Sequence, residues 1–161
     1  MLLKTSAGRG RPLQSSLKRA ISTAYYAMFH ALCKNSADCL VGKDRSEMVQ
    51  SAWERVYRSI DHNDAKKRCN AISQEKKFPD EIRTFARDFV YLQMKRHEAD
   101  YNPASTDKIE DAQAWIDTAR RAIKQMEDAP MKDRRVFAVW VSYKERNPEE
   151  VKKKRPSVNP L

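Results

Sequence analysis

Apolar residues recur at steps of three and four through the first third of the chain. Leu13, Leu17, Ala20, Ile21, Ala24, Met28, Ala31 and Leu32 fall on one side of a helix whose residues turn by about 100° each. The pattern predicts a first helix over residues 13–35. Tyr25, Tyr26 and Phe29 widen its apolar face, which suits a central position. Pro12 stands at its start, where a missing N–H costs little. A second helix is predicted over 45–61 from the stripe Val49, Trp53, Val56, Tyr57 and Ile60. A short third helix over 65–72 is weakly patterned, and QEKKF after it reads as a loop.

The fourth helix is predicted to open at Pro79, with Asp80 and Glu81 in its first turn and Lys95, Arg96 and His97 near its end. Both clusters oppose the partial charges of the helix dipole. Ile82, Phe85, Ala86, Phe89 and Leu92 form its stripe, and Pro103 disfavours a helical Asn102. A fifth helix follows from Ile109, Ala112, Ile116, Ala119, Ile123 and Met126, a narrow seam for a neighbouring helix. Ser105, Thr106 or Asp107 is expected to cap it. The segment DRRVFAVWVSYKER has strand-like composition, yet no partner strand is evident, so a sixth helix is expected there. The terminal KKKRPSVNPL reads as a disordered tail. The fold class expected is therefore all-α.

A length of 161 residues suits one domain that buries a core of its own. Only 3 glycines leave no room for a Gly-rich phosphate loop. Cys33, Cys39 and Cys69 form no CxxC pair, which suggests reduced thiols in a cytoplasmic protein. The opening MLLKTSAGRGRPL lacks the apolar stretch of a signal peptide, and no run approaches the roughly 18 apolar residues of a membrane span. A net charge of +10 makes a polyanionic partner plausible without specifying one.

Two constellations carry candidate chemistry. On the fourth helix, Arg96 lies about 20° from the sector of Phe89, and Asp100, four residues on, stays in that sector. A guanidinium and a carboxylate thus continue an apolar stripe, and each needs a partner there. One reading is an ion pair that closes the helix. The other is a polar cleft in which Arg96 faces a phosphate, with His97 and Tyr101 at its rim. On the second helix, Arg55, Arg58 and His62 lie about 200°, 140° and 180° from Trp53. Two guanidiniums beside an imidazole suit phosphate binding and proton transfer, and equally a solvated outer face. His30 and Cys33 stand one turn apart, but two further zinc ligands are not apparent, so a packed histidine and a buried thiol are expected, with no metal or other cofactor. The KKKR run at 152–155 reads first as a solvated tail, and as a site it would add non-specific, salt-sensitive affinity for nucleic acid.

LKRAISTAYYAMFHAL resembles the opening helix of bacterial HEPN-domain proteins, which carry an A-Y-Y-A-x-F-H run, and FVYLQMKRHEADY is similar to their later helix ending in R-x-x-A-D-Y. RVYRSIDH matches a V-Y-R-x-x-x-H second helix seen in one bacterial group. The resemblance covers roughly residues 12–127. It implies a bundle of four or five helices over 12–128, commonly dimeric, preceded by an arm over 1–11 and followed by an extension over 129–150 and the basic tail over 151–161. Such proteins include metal-independent ribonucleases, toxins paired with nucleotidyltransferase antitoxins, anti-phage defence components and non-catalytic scaffolds. The resemblance therefore implies RNA, or a partner bearing a nucleotide, as the ligand.

In the ribonuclease branch an arginine and a polar residue precede a histidine, with four to six positions between arginine and histidine. Arg96 matches that arginine and His97 the polar residue, while Asp100 and Tyr101 stand where the histidine belongs. A carboxylate beside an arginine is a poor proton donor at neutral pH. Arg55 to His62 offers a second match with six residues between them, though on an earlier helix and with Val56 in place of the polar residue. If the protein cleaves RNA, the expected acid or base is His62 and the phosphate ligand Arg55 or Arg58.

Overall fold

The computed structural model describes residues 13–44, 46–147 and 149–150. Among these are six helices and no strand: α1 (Gln14–Leu40), α2 (Glu47–Arg58), α3 (His62–Gln74), α4 (Asp80–Tyr101), α5 (Ile109–Asp128) and α6 (Met131–Ser142). The architecture is an all-α bundle. Pro12, the arm over 1–11 and the tail over 151–161 lie outside the described residues. No helix among the described residues is long and apolar enough to cross a membrane.

α1 is the central rod and touches α2, α4, α5 and α6. Its Tyr25, Met28 and Leu32 are fully buried against Phe85, Phe89 and Leu92 of α4. The same core takes Ala65, Cys69 and Ile72 from α3, Ala119, Ala122 and Met126 from α5, and Phe137 and Val141 from α6. All five apolar residues expected to form the α4 stripe are fully buried. A smaller cluster of Leu17, Ala20, Ile21 and Ala112 seals α1 against the start of α5.

α1 runs five residues beyond its expected end at Asn35. Asparagine and serine compete with helix backbone for hydrogen bonds, so Asn35 and Ser36 read as a terminus. Tertiary contact overrides that preference. Asn35 Nδ2 donates to the Arg134 carbonyl at 3.2 Å, and Arg134 Nε donates to Asn35 Oδ1 at 2.9 Å. The helix instead ends at Leu40 with Val41 as its C-cap, and Gly42 follows with a φ of 101°, the left-handed conformation that closes many helices. The 131–142 segment is helical as expected. Phe137, Ala138 and Val141 face inward at helical spacing, and strand-like composition yields to that burial.

None of Ser105, Thr106 and Asp107 caps α5, contrary to expectation. The N-cap is Lys108, with no side-chain capping bond. Asp107 is held by Gln14, which donates to its carbonyl at 2.8 Å and accepts from its N–H at 2.9 Å, so the loop is tied to α1 instead.

Removing the ring of Phe85 takes away the wall that Phe89 and Phe137 share. Phe85→Ala should lower the free energy of unfolding by about 3–5 kcal/mol, read as a shift of the urea midpoint at unchanged slope.

Candidate functional site

His62 is not on α2. The chain leaves helical geometry after Arg58, and Asp61 starts a new helix by accepting hydrogen bonds from the N–H groups of Asn63 (2.8 Å) and Asp64 (3.1 Å). The rotation that set His62 opposite Trp53 does not cross that break. His62 becomes the first residue of α3, and its ring turns inward. It stacks on Phe29 with centroids 3.8 Å apart and an interplanar angle of 21°. Its Nδ1 lies 2.6 Å from the Tyr25 hydroxyl oxygen. Gln93 Nε2 of α4 donates to the His62 carbonyl at 3.1 Å, which pins the start of α3 to α4.

Arg96 arrives from the other side. As its position on the α4 stripe requires, it faces α1, and its guanidinium lies 5.5 Å from the ring centre of Tyr25 and 5.1 Å from that of Tyr26. Because α4 stays helical to Tyr101, Asp100 comes within reach, and Arg96 Nε donates to its Oδ2 at 3.0 Å. Ser22 of α1 donates to the other oxygen, Oδ1, at 3.1 Å. The pair is partly covered, with the two side chains 22% and 33% exposed. An imidazole from α3 and a guanidinium from α4 thus meet around two tyrosine rings of α1.

The remaining candidates stay outside this cluster. Arg55 and Arg58 are exposed on α2, where Arg58 sits 3.8 Å from Glu54. α2 buries no residue fully and leans mainly on α1, through aromatic and polar contacts. Trp53 stacks on Tyr57 and donates its Nε1–H to Asp38 Oδ1 at 2.9 Å, and Tyr57 pairs with His30 Nδ1. His97 and Tyr101 are exposed and rest on each other with centroids 4.6 Å apart. Among the described residues neither is hydrogen-bonded to Arg96 or His62. Cys33 is buried as expected, and burial pushes its thiol up to about 12.

Tyr25, Tyr26 and Phe29 were read as helix face, and the structure makes them, with Ser22, the frame of the site. A signal was present: two adjacent tyrosines within an otherwise aliphatic stripe, since a buried tyrosine needs a partner for its hydroxyl. No protein-family profile, no curated protein and no solved structure matches this chain.

The electrostatics of the cluster favour a neutral imidazole. The proton affinity of His62 is lowered, first by burial and then by the Arg96 charge, with Asp61 opposing. Burial pushes the Tyr25 phenol up, so it stays protonated. The phenol accepts from Nδ1–H in one tautomer and donates to Nδ1 in the other, and both leave the imidazole uncharged. His62 Nε2 has no hydrogen bond among the described residues.

Folded protein binds fewer protons at His62 than the unfolded chain does between the lowered value and the ordinary 6.5. The stability tied to His62 is therefore complete above about pH 6.5 and is lost as pH falls through the lowered value. Urea midpoints measured from pH 8 to pH 5 should decline on the acid side, and His62→Gln should flatten that decline. An identical decline in the variant would assign it to other groups.

Proposed function

We propose that this protein is a HEPN-like RNA-binding protein and a metal-independent endoribonuclease, acting as a homodimer in a toxin–antitoxin or anti-phage defence system. The observation that carries this reading is the meeting of His62 and Arg96 across the Tyr25 ring. The likeness of the Arg96 segment to the HEPN motif supplies an arginine without its histidine. His62, brought from another helix, supplies an imidazole next to it. In this reading Arg96 takes over the phosphate-binding role that the spacing had offered to Arg55 or Arg58.

The chemistry follows from the groups present. In the tautomer whose Nδ1–H donates to the Tyr25 oxygen, Nε2 carries the lone pair and is suited to take the proton of an RNA 2′-hydroxyl. The 2′-oxygen then attacks phosphorus, the bond to the 5′-oxygen breaks, and a 2′,3′-cyclic phosphate forms. The 5′-oxygen leaves with a proton from solvent, to which His62 returns its own. Arg96 spends one N–H on Asp100 and keeps its terminal nitrogens for the equatorial phosphate oxygens. Tyr25 holds the imidazole in place.

A non-catalytic scaffold is the second reading. It is favoured by the closure of Arg96 onto Asp100 and the two tyrosine rings, which balances the guanidinium charge without a ligand. Incubation of purified protein with total RNA in EDTA separates the two. Cleavage with cyclic-phosphate ends is expected, lost about 10²–10⁴-fold in His62→Gln and about 10²–10³-fold in Arg96→Ala at unchanged helical circular dichroism. The wild-type rate should rise with pH through an apparent value below 6.5, as expected of a base with the lowered affinity of His62. Intact RNA would leave the scaffold reading.

A further inference from the structure

The third helix carries two stripes. Ala65, Cys69 and Ile72 form the buried one. Asn63, Lys66, Lys67 and Asn70 form the other at spacings i, i+3, i+4 and i+7, which place all four on a single face. An amphipathic helix ordinarily uses that spacing for its apolar seam. Here it presents an amide, two ammonium groups and another amide. The stripe borders α4, where Val90 and Met94 stand one turn apart, and the six residues line a groove of about 500 Å³. Val90 is packed against the core, whereas Met94 is 52% exposed.

None of the lining residues is acidic, and among the described residues neither Lys66 nor Lys67 belongs to an ion pair. On both helices the groove lining comes within one residue along the chain of a residue at the candidate site or bonded to it. Asn63 follows His62 in the chain, and Gln93, which holds the His62 carbonyl, precedes Met94. From Asn63 to Asn70 it extends about 10 Å at 1.5 Å per residue.

We infer that the groove between α3 and α4 binds single-stranded RNA, holding the strand next to the nucleotide placed at His62 and Arg96. The lysines would meet phosphates as point charges. The amides supply both donors and acceptors for sugar hydroxyls and base edges, and the Met94 thioether offers an adaptable apolar surface to a base. A peptide backbone could also pair with the amides, so the choice of RNA rests on these two ammonium groups and on the neighbouring site, where the proposed RNA substrate lies. This inference rests on RNA being the ligand in the proposed function, and it adds the track along which the strand lies.

The test is fluorescence anisotropy of a labelled, unstructured RNA of about 12 nucleotides, within the usual range of single-strand site sizes, titrated with full-length protein across a salt series. The K66Q/K67Q double variant should reduce the slope of log affinity against log salt by about 1.4, at about 0.7 per lost phosphate contact, and weaken binding roughly 20-fold at 0.1 M salt. K66R/K67R, which keeps the charges, should restore the slope, and circular dichroism should show all variants equally helical. His62→Gln should bind with the wild-type slope. A wild-type slope in K66Q/K67Q overturns the groove while leaving the proposed chemistry standing if wild-type protein cleaves and His62→Gln does not. A reduced slope without cleavage by any form keeps the groove and removes the ribonuclease reading. Failure of wild-type protein to bind the RNA, or tighter binding of an acidic peptide that displaces it, overturns the inference.

Discussion

The hydroxyl of Tyr25 is the constraint around which this protein is arranged. Its ring is fully buried, tilted against Phe89 at 5.5 Å between centroids, and its oxygen cannot be left there without a partner. His62 supplies that partner. Satisfying one hydroxyl therefore brings the first residue of α3 onto α1. Gln93 of α4 then fastens the backbone of the same residue. Three helices are registered against one another by a polar contact at the edge of the core, where burial strengthens a satisfied hydrogen bond and penalises an unmade one.

The same ring serves Arg96 on its face. Placing a guanidinium against two tyrosines and a carboxylate keeps a cation near the core without leaving it unpaired. That cation in turn disfavours a proton on His62, so the two groups coexist as one charged and one neutral. Ser22 steadies the far oxygen of Asp100, which ties the last turn of α4 to the first half of α1. The cluster is thus a polar extension of the core, partly open to solvent, whose members come from helices far apart in sequence.

Residues of α4 show how much was legible beforehand. The spacing of Phe85, Phe89 and Leu92 located the buried face, and the same rotation carried Arg96 and Asp100 into one sector, where they meet. Legibility failed at Asp61. Read as one continuous helix, residues 45–61 projected His62 toward solvent, whereas a cap at Asp61 resets the phase and turns the ring inward. It failed again on α3, because an amide-and-lysine stripe gives no apolar period, and the groove it lines with Val90 and Met94 exists only once the two helices are packed.

The sequence by itself determined the helices, their inward faces and the encounter of Arg96 with Asp100, because these follow from local rotation along an unbroken backbone. Only the tertiary structure decided that His62 belongs with Arg96 and Tyr25, and that Arg55 and Arg58 do not. A period within one helix fixes directions relative to that helix alone. Which side chains from separate helices share a space depends on where each helix starts and on how the rods pack, and those are settled by caps, buried hydroxyls and core shape together.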